Sequence, residues 1–219
     1  MDENLKNSIM KTGTTILGIV CKGGIVMAAD RQSTAGNLVM NKRAKKIREI
    51  SDYLLFAGTG LSSDIERNGK VLSAELKLKH LRSRKRPTVK QAANLIASIN
   101  YSGIRQPSMI PLTAGILLGG FNEDGTAELY SIEPAGSVMK VEDYDANFGS
   151  GMPFVLGLLE RQYKENMDLK EGIELAKEAI KSSTQRDLGS GYGIDVYTIT
   201  KEGIKKVVNQ DIVSEYKEK

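Results

Sequence analysis

Several chemistries are closed to this chain by what it lacks. It holds one cysteine, Cys21, and one histidine, His80. A lone cysteine excludes an internal disulfide framework and fits a reducing compartment. The two residues together cannot complete a closed His/Cys zinc site, and they argue against a Cys–His or Ser–His catalytic couple. No metal or cofactor is expected. No uncharged apolar run approaches the ~18 residues of a membrane span. Residues 1–13, MDENLKNSIMKTG, alternate charge and polarity and lack the apolar stretch of a secretory signal. The expected location is therefore the cytoplasm, with no membrane partner. No G-x-x-x-x-G-K-[ST] phosphate loop is present, so ATP-driven work falls to another protein.

What is present describes a globular chain. Apolar residues make up 40% of the 219 positions and charged residues 26%, enough for one domain with a sizeable core. The net charge is +4, and its densest run is HLRSRKR, 80–86. That run reads either as a nucleic-acid contact or as a solvated helix end, where cations complement the helix dipole. No aromatic residue interrupts it to stack on bases, so the solvated end is favoured and no nucleic-acid partner is expected. Cys21, within ILGIVC, reads as a core thiol. His80, among lysines and arginines, reads as a solvated helix residue.

Apolar runs at Thr15–Cys21 and Ile25–Ala29, split by Lys22-Gly23-Gly24, predict a hairpin of buried strands. Leu38–Met40 and Tyr53–Ala57 add two more. From Ser62 to Ser83 the spacing turns helical, with Ile65, Leu72, Leu76 and His80 in step. Thr88 and Gln91 form a capping-box pair opening a second helix to Tyr101. Strands return at Thr113–Gly119, Ala127–Ile132 and Ser137–Val141. Helices follow over Pro153–Glu165 and from the cap Asp168, with Glu171 in the box position, to Arg186. Ile194–Thr200 and Ile204–Val208 close a last hairpin, and the charged tail reads as helical or frayed. Strands cluster and helices come in pairs, which predicts an α+β fold: a four-layer αββα sandwich of two antiparallel sheets flanked by helix pairs.

The chemistry-bearing pattern starts at Gly13-Thr14-Thr15. Asp30 follows Thr14 at the interval at which Lys46 follows Asp30. Gly58-Thr59-Gly60, Gly149-Ser150-Gly151 and Arg186-Asp187-Leu188-Gly189-Ser190-Gly191 come later. Singly these are weak. Asp30 before Arg31 reads as a turn residue or ion pair, Lys46 in KRAKK as a solvated lysine, Gly58 and Gly60 as a turn, and Asp187 and Ser190 as a helix-ending loop. Jointly, in this order, they reverse those readings.

From Lys11 to about Val208 the pattern resembles proteasome β subunits, threonine-type N-terminal-nucleophile hydrolases. The brevity of the leader is similar to archaeal members. The resemblance implies a propeptide of residues 1–13, removed autocatalytically, and a single peptidase domain over 14–219. A threonine hydroxyl needs a base. Cleavage before Thr14 frees an α-amine of ordinary pKa about 7.7–8.0, so Thr14 becomes nucleophile and base together. Lys46 would lower the amine's pKa, Asp30 would orient Lys46, and the Gly60 N–H would stabilise the oxyanion. Ser150, Asp187 and Ser190 would support the amine and its water. Gly13 gives the scissile carbonyl backbone freedom.

The resemblance further implies heptameric rings of β subunits stacked between α-subunit rings, unfolded polypeptide substrates, and an external ATP-dependent unfoldase. Its positions for the substrate pocket map to Ser33, Ala44, Arg48, Gly58, Ser62 and Glu66. Gly58, lacking a side chain, implies a deep pocket. Glu66 either pairs with Arg48, giving an apolar preference, or faces inward and attracts basic residues. Three rival readings stand beside this one: a non-catalytic ring subunit, the related bacterial two-ring peptidase, and a basic nucleic-acid-binding module.

Overall fold

The computed structural model describes residues 12–213 and 215. The expected leader therefore lies outside the described residues up to position 11, as does most of the charged tail. Strands β1 (Ile16–Cys21), β2 (Gly24–Asp30), β3 (Ser33–Ala35), β4 (Leu38–Asn41), β5 (Ile47–Ser51) and β6 (Leu54–Gly60) come first. Helices α1 (Ser62–Ser83) and α2 (Val89–Ile104) follow. Next are β7 (Ala114–Phe121), β8 (Ala127–Ile132), β9 (Val138–Val141) and β10 (Tyr144–Asp145). Then come α3 (Met152–Gln162), α4 (Leu169–Thr184), β11 (Gly193–Thr200) and β12 (Gly203–Asp211).

Two five-stranded antiparallel sheets run in the orders β10-β1-β2-β11-β12 and β5-β6-β7-β8-β9. Alternation along the strands shows how they stack. Ile16, Ile25 and Met27 meet Leu55, Leu117 and Leu129 between the sheets. The intervening Leu17, Ile19 and Val26 face α3 and α4, with Leu159 and Ile180. On the second sheet Leu54, Phe56, Ile116 and Leu118 face α1 and α2, with Leu72 and Ile96. Both faces of each central strand are thus buried, which is why these strands read as continuous apolar runs. The layers are αββα, as the sequence predicts.

The helix starts also follow the sequence. The Thr88 hydroxyl accepts from Gln91 N at 3.2 Å and Gln91 Oε1 accepts from Thr88 N at 3.4 Å. Asp168 and Glu171 repeat the arrangement at 2.8 and 3.1 Å. Such caps contribute about 1 kcal/mol each.

Some expectations are corrected. β3, β5 and β10 were not foreseen, being short and partly polar. β3 and β4 form a separate two-stranded sheet whose Leu38–Asn41 arm is fully exposed. Helix α3 stops at Gln162, where Tyr163 is extended and Asn166 takes a left-handed φ of 61°. β12 continues past Val208 to Asp211, where Asn209, Gln210 and Asp211 pair with Asp195, Ile194 and Gly193 of β11. His80 is exposed, as its basic neighbours imply, and α1 buries Ile65, Leu72 and Leu76. Cys21 is buried, and burial, with Asp168 and Glu171 adding, pushes its thiol up to about 12. No helix of the described residues is long and apolar enough to cross a membrane.

Candidate active site

One end of the two sheets gathers the motifs. The chain enters β1 through Gly13 and Thr14, β2 ends in Asp30, Lys46 immediately precedes β5, and Gly60 ends β6. The loops before α3 and before β11 bring Ser150 and the 187–191 segment to the same place. Their proximity is tight: a Cβ on Gly13 would collide with the backbone of Gly189.

Asp30 is fully buried, and its carboxylate is saturated with donors. Oδ1 accepts from Thr15 N at 2.8 Å and from Lys46 Nζ at 2.6 Å. Oδ2 accepts from Gln32 N at 2.8 Å and Gly191 N at 3.0 Å. An anion with four donors can remain charged away from water. Lys46, 7% exposed at its side chain, therefore has a fixed counter-ion. Burial lowers its pKa below the ordinary lysine value of 10.5, opposed by the charges of Asp30 and then Asp187.

A second chain of hydrogen bonds holds the Thr14 backbone. Thr14 N donates to Ser150 Oγ at 3.0 Å. Ser150 Oγ donates to Asp187 Oδ2 at 2.7 Å, and Ser190 Oγ donates to the same oxygen at 2.6 Å. With its proton so committed, Ser190 accepts from Thr15 Oγ1 at 2.6 Å. Ser190 thus binds the Thr15 hydroxyl directly and is linked to the Thr14 nitrogen through Asp187 and Ser150. The Thr14 hydroxyl donates to the Gly13 carbonyl oxygen at 2.6 Å, across the peptide bond preceding it. Gly13 N donates to Thr34 Oγ1 at 2.5 Å, and Thr12 Oγ1 donates to Gly60 O at 3.0 Å.

A cavity of about 330 Å³ opens beside Thr14, and Gly13, Lys46 and Gly60 line it with the expected pocket residues Ser33, Ala44, Arg48, Gly58 and Ser62. Gly60 has φ +110°, and a side chain there would strike the Thr113 carbonyl. Glu66 is not part of the lining. It is exposed, and its partner is Lys70 at 2.6 Å, one turn along α1, instead of Arg48. Lys70 first, and Arg48 at longer range, lower its pKa. Ile65 occupies the wall instead, and a Cβ on Gly58 would lie 2.5 Å from its Cγ2. Ile65 thus packs against the bare Cα of Gly58 and forms that part of the wall. A helix places one residue of an adjacent pair inward and the next outward, and the α1 stripe Ile65-Leu72-Leu76 carries that signal. Thr34 and Asn41 were also missed as local contributors. A larger cleft of about 710 Å³, lined by Asp64, Arg67 and Leu112, contains none of the motif residues.

An αββα sandwich whose sheet ends converge on a threonine at the head of β1 defines the architecture of N-terminal-nucleophile hydrolases. A model described as proteasome subunit matches residues 10–199. The chain is 42% identical over 194 residues to a proteasome subunit beta of Nanoarchaeum equitans, covering 89% of this chain and 96% of the relative. It is 43% identical over 197 residues to proteasome subunit beta 2 of Pyrococcus abyssi, covering 90% and 91%. Over 214 residues it is 40% identical to proteasome subunit beta 1 of Thermococcus kodakarensis, with 98% of each covered. The chain belongs to the proteasome subunit family, on its β side.

Proposed function

We propose that this chain is a catalytic β subunit of a proteasome core, a threonine endopeptidase that matures by cutting itself between Gly13 and Thr14. The observation that carries the reading is the Thr14 hydroxyl, 2.6 Å from the Gly13 carbonyl oxygen, in a cavity shared with the buried Lys46–Asp30 pair. In self-cleavage Thr14 Oγ bonds to the Gly13 carbonyl carbon while a water takes up its proton. The carbonyl oxygen becomes the oxyanion that the Gly60 N–H stabilises. Collapse breaks the Gly13–Thr14 C–N bond, the proton passes to the departing nitrogen, and an ester remains. Water then hydrolyses the ester, releasing residues 1–13 as a carboxylate and freeing the hydroxyl beside the α-amine that C–N cleavage has already exposed.

The freed amine takes the Thr14 hydroxyl proton in each later turnover. Lys46 keeps a positive charge beside it and favours the neutral, basic amine. Asp30 holds Lys46, while the Ser150–Asp187–Ser190 chain fixes the nitrogen and its water. Substrates in this reading are unfolded polypeptides, admitted to a chamber of β rings between α rings by an ATP-dependent unfoldase in the cytoplasm. The presence of Gly13, Thr14, Asp30 and Lys46 together favours it over a non-catalytic ring subunit.

Intact mass of the chain co-assembled with α subunits tests the proposal. The expected mass is that of residues 14–219 for the wild type and of the full chain for Thr14→Ala. Retention of residues 1–13 in a peptide-hydrolysing particle overturns it, because no α-amine would exist.

A further inference from the structure

Arg31 follows Asp30 directly, yet the chemistry above leaves it without a task. It is 8% exposed, which is rare for an arginine unless it is paired. Four of its five guanidinium N–H groups meet acceptors. Nε and Nη2 donate to Asp195 Oδ1 at 3.0 and 2.5 Å, Nη1 donates to Asp211 Oδ1 at 2.5 Å, and Nη2 also reaches Asn209 Oδ1. Lys206 Nζ completes the group at 2.8 Å from Asp195 Oδ1. These partners sit on β11 and β12, so the side chain ties the end of β2 across two neighbouring strands.

The Arg31 backbone carries the same frame into the site. Asp30 Oδ2 accepting from Gln32 N makes residue 31 the centre of an Asx turn. Arg31 N donates to Gly191 O at 3.1 Å, and Gly191 N returns a bond to Asp30 Oδ2 at 3.0 Å. Arg31 O accepts from Ala44 N at 2.9 Å, two positions before Lys46. A side chain at Gly193 would strike Arg31 Cδ, at 2.6 Å, so the arginine passes over bare backbone there. Rotation of this turn moves the Asp30 carboxylate, the Lys46 approach and the Gly191 loop together.

We propose that Arg31 is a positioning residue: its guanidinium, bound to Asp195 on β11 and to Asn209 and Asp211 on β12, fixes the turn from which Asp30 holds Lys46. The inference rests on the catalytic reading of Thr14. It assigns a role in the site to the last residues of β12, which sequence order places far from every motif. An arginine is required because three acceptors on two strands must be met by one planar fork, which a lysine cannot reproduce.

Burial, Asp30 on β2 and Asp187 after α4 act on the charge of Lys46; Lys45 and Arg48 of its own segment line the same cavity, and the Thr14 amine joins them once freed. Looser placement of Asp30 weakens the interaction that keeps Lys46 protonated. The alkaline limb of the pH profile then moves to lower pH, which a purely structural tie would not cause.

The test uses particles assembled with α subunits, with active threonines counted by a covalent threonine-directed probe so that turnover is per site. Arg31→Met is expected to lower kcat by about 10- to 100-fold, the scale of slight misplacement in a preorganised site. KM should stay within about twofold for a contact remote from substrate, and the alkaline limb should shift downward. Arg31→Lys should recover part of the loss. Asp211→Asn, at a side chain 65% exposed, should give a smaller loss and a shift in the same direction; it decides the matter if Arg31→Met does not assemble. Wild-type kcat and an unmoved limb in the assembled variant overturn this inference alone. A wild-type particle that hydrolyses no peptide overturns the catalytic reading and this inference with it.

Discussion

Ile65 stands over the bare Cα of Gly58, so close that any side chain at position 58 would lie 2.5 Å from its Cγ2. The wall of the candidate substrate pocket is therefore an isoleucine on α1, with Glu66 turned to Lys70 outside. An apolar wall without an inward carboxylate favours large apolar residues before the scissile bond. Ile65→Ala should enlarge the pocket and raise kcat/KM for phenylalanine and tyrosine relative to leucine substrates by about 10-fold, the scale of one or two methylenes in an apolar pocket. Fluorogenic peptides measure the ratio. Glu66→Gln should leave arginine substrates unchanged, and a selective loss for them would show that Glu66 reaches the pocket after all.

Asp187 Oδ2 receives two hydroxyl protons, from Ser150 and Ser190. An asparagine oxygen in the place of Oδ2 could still accept both, but the side chain is neutral and sets an N–H group where Oδ1 accepts from Gly189 N at 3.1 Å. Asp187→Asn should slow both removal of residues 1–13 and peptide turnover by about 10²-fold. Mass spectrometry of assembling particles and a peptide assay read the two separately. Loss of turnover with normal maturation would place Asp187 outside the self-cleavage step.

Lys46 is lowered below 10.5 by burial. If its ammonium is needed, activity falls as pH rises through that lowered value, before free lysine would titrate. Asp30→Asn removes the largest opposing attraction, so the limb should move further down while activity at neutral pH drops. The stability sign is fixed by linkage. The unfolded chain binds this proton more tightly, so the cost of charging Lys46 is full below its folded value and is relieved as pH rises from there to 10.5. A pH–rate profile of assembled particles checks the first effect.

Cys21 is expected to resist alkylation at pH 8 in the folded protein, because burial pushes the thiol from 9.0 up to about 12 and the thiolate is the reactive form. Its raised value contributes stability that is present below 9 and is lost as pH climbs toward 12. Labelling followed by mass analysis should show modification only after denaturation. Rapid modification of the native chain would show that Cys21 is open to solvent.

The sequence was most legible where local rules act alone. Thr88 with Gln91 and Asp168 with Glu171 announce helix starts, because the bonds involved close within four residues. Unbroken apolar runs in β1, β2, β6 and β7 announce strands buried on both faces. Short β3 and β10 were invisible, since a strand of two or three residues exists only through its partner.

The order and identity of Gly13, Thr14, Asp30, Lys46 and the Asp187–Ser190 segment were written in the chain. What the chain alone did not decide is which neighbour each residue meets. Asp30 accepts from Thr15, Gln32, Lys46 and Gly191, and Arg31 binds Asp195, Asn209 and Asp211, through contacts that span most of the polypeptide. Glu66 and Ile65 are adjacent in sequence, yet one helical step separates an exposed ion pair from the wall of the cavity. Local propensity sets elements and their faces, but a site made by converging sheet ends is fixed only when both sheets are stacked.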